Sequence, residues 1–145
     1  MTQSYASTVI AAGAERVWEV VRDFDGLPTW HPGIASSEIE QGRGAAEVGC
    51  VRHLTLPDGG SIRERLLTLD DVERSYTYEI LRAPFPVRRY RATIRVAPVT
   101  ETGRAFVEWY AHYDAEAADE AELDETFASG VFASGLRGLS EYLAG

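Results

Sequence analysis

The chain has 145 residues, enough for one domain with its own hydrophobic core, and its 45% hydrophobic and 26% charged content is that of an ordinary globular protein. A formal net charge of −9 argues against a nucleic-acid partner and against an anionic membrane surface, both of which require a basic face. All 14 basic residues are arginine; without lysine, no side chain can form a Schiff base and lysine-dependent pyridoxal chemistry is excluded.

Cys50 is the only cysteine, so there is neither an internal disulfide nor a multi-cysteine zinc site. No run approaches the ~20 apolar residues of a membrane span. The N-terminus lacks a basic n-region and soon becomes a charged amphipathic stretch, which is unlike a signal peptide. The cytoplasm is the expected compartment, and arginine in place of lysine points to a GC-rich bacterial genome.

Residues 1–11 alternate weakly around Tyr5, Val9 and Ile10 and predict a first strand, broken at Gly13-Ala14-Glu15. Val17, Trp18, Val20, Val21 and Phe24 then recur at helical spacing. Asp25-Gly26-Leu27-Pro28 ends that short helix, and Pro32-Gly33 closes a second short turn. Residues 34–41 read as an exposed polar strand whose edge permits dimerisation. Residues 48–56 and 61–69 predict two strands joined by the hairpin signal Pro57-Asp58-Gly59-Gly60. A third strand covers 74–81, with Tyr76, Tyr78 and Ile80 on one face. Ala83-Pro84-Phe85-Pro86 interrupts the pattern, because proline cannot donate to a ladder. Strands over 87–96 and 104–113 follow. After an acidic stretch, Leu123, Phe127, Val131, Phe132, Leu136, Leu139 and Leu143 form the apolar stripe of a long terminal helix.

One strand, two short helices, six strands and a long helix define an α+β fold, with a curved antiparallel sheet of about seven strands gripping the last helix. A strongly curved sheet touches such a helix only in part, and the space between them is a natural cavity.

Several segments in order resemble those of the START-like (SRPBCC) helix-grip superfamily, which includes bacterial polyketide cyclase/dehydrase-like proteins, the birch-pollen-allergen group and the plant abscisic acid receptors. They are Val17-Trp18 through Phe24-Asp25, Trp30-His31, Gly49-Cys50-Val51-Arg52, Glu64-Arg65-Leu66, Leu69-Asp70-Asp71, Val107-Glu108-Trp109, Tyr113-Asp114 and the stripe from Phe127. The resemblance spans nearly the whole chain and implies a single START-like ligand-binding domain over residues 1–145. It implies function only broadly, since carriers, receptors, aromatase/cyclases and lyases share the fold.

Strand parity sorts the faces. With Leu54 and Leu56 inward, Cys50 and Arg52 are inward too, as are Ile62, Glu64 and Leu66 on the partner strand. Tyr76, Tyr78 and Ile80 follow, then Tyr90, Ala92 and Ile94, then Val107, Trp109 and Tyr113. The resemblance places ligand-facing positions at Leu54, Leu56, Glu64, Tyr78, Tyr90 and Trp109, and adds Phe127, Val131 and Gly135 from the helix. It also puts a latch at Ala83–Val87 and a partial gate at Pro57–Gly60.

Arg52 and Glu64 stand out as charges on an otherwise apolar face: either a buried structural pair or a polar anchor for a ligand. His31, in the Trp30-His31-Pro32 turn, sits where the receptor branch has a lysine that pairs with the ligand's acid group. It reads either as a half-exposed turn histidine or as a donor and acid–base group. His53 and His112 fall on the outer face and complete no metal set with His31, so no metal and no cofactor is expected. Phosphate-binding loops and hydrolase elbows are absent from the sequence.

Three functions fit. The chain is expected to bind a small hydrophobic metabolite (polyketide, aromatic or isoprenoid-like). Alternatively, it is a cofactor-independent cyclase, aromatase or dehydratase using His31 and Glu64 for proton transfer, or a protein-interaction module with a filled core. Nucleic acid and membrane insertion are not expected, and the chain is read as a monomer or homodimer.

Overall fold

Hydrogen bonding closes seven strands into one antiparallel sheet of order β1-β7-β6-β5-β4-β3-β2. The computed structural model describes residues 1–145. In chain order the elements are β1 (Thr2–Ile10), α1 (Ala14–Val21), α2 (Leu27–Trp30), β2 (Ser36–Ile39), β3 (Val51–Thr55), β4 (Ser61–Asp70), β5 (Ser75–Arg82), β6 (Arg88–Val99) and β7 (Arg104–Asp114). A terminal helix follows, built from α3 (Glu120–Asp124), a π-helical segment (Glu125–Ala133) and α4 (Ser134–Ala144). The expected helix-grip architecture is therefore present. No helix is long and apolar enough to cross a membrane.

Alternation along the strands puts one face of the sheet against the terminal helix. Cys50, Arg52, Leu54, Ile62, Glu64, Leu66, Tyr76, Tyr78, Tyr90, Ala92, Ile94, Val107, Trp109 and Tyr113 are all buried, whereas His53 and His112 are exposed. The sheet bends because its ladders are irregular. Register shifts fall between Arg63 and Glu64, between Leu66 and Thr68, and between Arg88 and Arg91, where Arg89 has φ 52°. Each such irregularity kinks the strand and adds local twist, and together they curl the sheet around the helix.

The β3–β4 hairpin closes as its residues dictate. Gly59 has φ +91°, and Asp58 Oδ1 accepts the Gly60 amide at 2.8 Å. The polar strand expected at 34–41 is shorter in the structure. β2 stops at Ile39 because Glu40–Gly42 coil into a 3₁₀ turn with φ 60° at Gln41, and Arg63 pins that turn through both oxygens of Glu40.

The terminal helix departs from a regular α-helical period. Phe127 and Phe132, five residues apart, are both buried and both contact the aromatic core. At about 100° per residue, an α-helix would turn two such positions well apart. Hydrogen bonding from i to i+5 instead brings them to one face, and the nine residues Glu125–Ala133 adopt it.

Two glycines seat the helix on the α2 turn. A Cβ at Gly135 would lie 2.5 Å from His31 Cδ2, and one at Gly138 would lie 2.2 Å from the Trp30 carbonyl oxygen. At the other end of the helix, Ser4 joins it to the sheet by donating to Asp124 at 2.8 Å, with the Tyr113 hydroxyl 2.8 Å away.

Candidate functional site

Arg52 is fully buried and organises the inner face. Its Nε donates to Glu64 Oε1 at 2.8 Å, and the register pairs the two residues directly across β3 and β4. One terminal nitrogen, Nη1, donates to the Phe24 carbonyl at 2.8 Å and more weakly to the Tyr76 hydroxyl at 3.4 Å. The other, Nη2, also lies 2.8 Å from Glu64 Oε1, in ion-pair range but misaligned, so its N–H groups have no hydrogen-bond partner. The guanidinium carbon sits 3.9 Å from the Phe24 ring centroid and 4.9 Å from that of Tyr78, where cation–π attraction replaces some lost hydration.

Burial opposes both charges of this pair. For Arg52, the Glu64 carboxylate and the oxygens of Tyr76 and Tyr78 outweigh that penalty and hold the guanidinium above its usual range. Burial dominates at Glu64 and raises its carboxyl pKa, with Arg52 offsetting part of the rise.

His31 is nearly as buried as Arg52, at 2% exposure. Its Nε2 lies 2.8 Å from the Val131 carbonyl, and its Nδ1 accepts the Gly33 amide at 3.0 Å. A carbonyl can only accept and an amide can only donate, so the ring is neutral with its proton on Nε2. Burial pushes its pKa below the ordinary value, the Val131 contact works the other way, and Arg52 adds to the depression. The imidazole thus satisfies a carbonyl of the π-helical segment while stacking edge-on against Trp109 at 5.9 Å.

Between these groups lies a cavity of about 80 Å³. Of the residues expected at the site, His31, Arg52, Leu54, Leu56, Ile62, Glu64, Tyr78, Trp109 and Val131 line it. Tyr90, Phe127 and Gly135 do not. Tyr90 and Phe127 pack at a tilt with ring centroids 5.0 Å apart, Tyr90 facing a separate depression beside the Phe85 loop, and Gly135 is covered by His31 and Trp109. The Tyr78 hydroxyl accepts the Trp109 indole N–H at 3.1 Å, and burial holds its pKa well above the usual value, so it stays protonated near neutral pH.

Sequence reasoning did not mark Leu27, Gly33, Ile34 or Gly130 as cavity residues, and reached Phe85 only as part of a loop. Phe85 packs edge-to-face on Phe127 at 5.3 Å and stays half-buried, which puts the loop across one side of the cavity. A lone large apolar residue between two prolines was the available signal.

Larger depressions open beside the Phe85 loop, along the helices and on the outside of the sheet. That of about 480 Å³ beside Gln41 is lined by Arg43, Arg63 and Arg65. These already pair with Glu47, Glu40 and Glu79. No three histidine, cysteine, aspartate or glutamate side chains come together in a way that could hold a metal ion.

A curved sheet gripping a helix around a small, mixed cavity defines a helix-grip protein. The chain belongs to the family described as polyketide cyclase / dehydrase and lipid transport, whose model matches residues 1–144. Among solved structures, the protein XoxI from Bacillus cereus is 38% identical with a TM-score of 0.87, over 97% of this chain and 94% of that one. A protein from Thermobifida fusca is 30% identical with a TM-score of 0.88, over 98% and 93% of the two chains. Norcoclaurine synthase from Thalictrum flavum, solved with dopamine and hydroxybenzaldehyde, is 19% identical with a TM-score of 0.78, over 99% and 86%. At that identity the likeness is one of fold. No curated protein matches the sequence. Family membership supports a ligand-binding or cyclase role in general and identifies no substrate.

Proposed function

We propose that the chain binds a small, largely apolar metabolite (polyketide, aromatic or isoprenoid-like) between its sheet and terminal helix. In this reading it works in the cytoplasm as a monomer or homodimer, without metal or organic cofactor. The observation that carries the proposal is the cavity wall itself: Leu54, Leu56, Ile62, Trp109 and Val131 offer apolar surface, while Arg52 and Glu64 interrupt it with buried charge. Ligand sites combine these features, an apolar lining with a few placed polar groups. An interaction module with a filled core would not need the space.

The volume limits what fits without movement, since an apolar cavity that takes up benzene is about 150 Å³. A ligand of metabolite size therefore has to displace Phe85, the half-buried side chain on the loop. Native mass spectrometry of freshly purified protein tests the reading: a co-purifying small molecule of defined mass supports it, and a ligand-free protein that binds no apolar probe sinks it.

A second reading, a cofactor-independent cyclase or dehydratase on the same cavity, is favoured by Glu64. This buried carboxyl has a raised pKa, lines the cavity, and has only one oxygen engaged by Arg52, which suits a proton carrier. For His31 to share that work, its bond to Val131 or to Gly33 must open first. If Glu64→Gln retains ligand affinity but abolishes turnover, the enzyme reading gains. If His31→Ala behaves differently from Glu64→Gln in turnover, the two residues do not form one proton-transfer unit.

A further inference from the structure

The Arg52–Glu64 pair is incompletely closed. Both Nε and Nη2 of Arg52 bear on a single oxygen, Oε1 of Glu64. A parallel fork would use both oxygens. The geometry therefore leaves two unspent groups in residues that line the cavity: the N–H groups of Nη2, buried and without a hydrogen-bond partner, and Oε2 of Glu64, which accepts no hydrogen bond. One is a donor and the other an acceptor. A buried donor without a hydrogen-bond partner is destabilising, so the site gains from any occupant that supplies the missing bonds.

The charges of the pair cancel, so the cavity wall is neutral overall. No other group there can balance an added charge. His31 is fixed as a neutral imidazole by Val131 and Gly33, Tyr78 is a protonated phenol, and the chain contains no lysine. A carboxylate brought to Nη2 would meet the Glu64 carboxylate, and an ammonium brought to Oε2 would meet the Arg52 guanidinium. In a site shielded from water neither repulsion is screened.

We infer that the cavity selects a neutral head group presenting a hydrogen-bond acceptor and donor side by side, such as an amide or a hydroxycarbonyl, with the acceptor on Arg52 Nη2 and the donor on Glu64 Oε2. The inference rests on reading the cavity as a ligand site and specifies the ligand's polar end. The apolar remainder runs past Leu54, Leu56 and Val131 toward the Phe85 loop. Acids of matching shape are rejected although an arginine is present.

The test uses chain-matched probes with the wild-type protein: hexanamide, hexanoate and hexylamine, titrated by calorimetry near neutral pH. Hexanamide is expected to bind at least about tenfold more tightly than either ion, since a site built for a donor–acceptor pair penalises partners that leave it unpaired. Glu64→Gln, which leaves Arg52 uncompensated, should reverse the order in favour of hexanoate. If that variant fails to fold, the wild-type ranking still decides. Equal binding of all three probes overturns the head-group inference and leaves the apolar-pocket reading standing. Tightest binding of hexanoate overturns it too, in favour of a plain arginine anion site. Binding by none of them overturns both readings.

Discussion

Gly135 and His31 are in contact: a methyl group on the glycine would intrude to 2.5 Å from the imidazole Cδ2 and to 2.8 Å from its Nε2. The small residue is what lets the imidazole approach the helix closely enough to bond the Val131 carbonyl.

Three glycine-to-alanine changes should therefore separate. Alanine is about 1 kcal/mol better than glycine inside a helix, so Gly130→Ala, whose nearest obstacle would be 3.9 Å away, should be neutral or stabilising. Gly135→Ala must push His31 and Trp109 aside and should cost about 1–3 kcal/mol. Gly138→Ala meets a backbone oxygen at 2.2 Å that cannot swing away, and should cost at least as much. Urea denaturation of the three variants checks the order.

Breaking the buried ion pair should be costly and removing it whole should not. Arg52→Met or Glu64→Leu alone leaves a bare buried charge and is expected to lose about 3–5 kcal/mol. The double variant should recover most of that loss. A double-mutant cycle by chemical denaturation measures the coupling, and additive losses would mean that the two charges are not energetically linked.

Stability should fall on mild acidification because of His31. Burial lowers its folded-state pKa below the ordinary 6.5. The unfolded chain therefore takes up a proton first, and folding stability is complete above the unfolded value. It is then lost as pH falls toward the folded one. Denaturation midpoints followed from neutral to mildly acidic pH should show this slope, and His31→Gln should flatten it.

Phe85→Ala tests the loop. Losing an edge-to-face partner of Phe127 from a half-buried position should cost about 0.5–1.5 kcal/mol. If Phe85 bars the cavity, the variant should take up hexanamide faster than wild type in stopped-flow mixing. An unchanged association rate would place the way in elsewhere.

Strand faces were readable from the sequence because a period of two is unforgiving: once Leu54 was set inward, the burial of Arg52, Glu64, Tyr78 and Trp109 followed. Which inward residues meet empty space was not readable. Parity assigns Tyr90 and Tyr78 the same side and both are buried, yet Tyr78 borders the cavity while Tyr90 packs on Phe127 beside the Phe85 loop. The committed state of His31 was also hidden, since its partners are backbone atoms of Gly33 and Val131 that no side-chain pattern announces. The π-helical segment escaped because Val131 and Phe132 both fit a loosely drawn α-helical stripe, and only burial shows that Phe132 shares a face with Phe127.

That segment makes the chain length between Asp124 and Ser134 a matter of angular phase. Removing one residue from the exposed side, Ser129 for instance, would let the wide turn relax to ordinary helix. The residues beyond it would then keep nearly their present phase, because eight residues of ordinary helix sweep about the angle that nine take in the wide turns. Leu136 and Leu139 would stay in the core and the two glycines on the α2 turn. The same deletion within α4, where no wide turn can absorb it, would rotate everything beyond by about 100°.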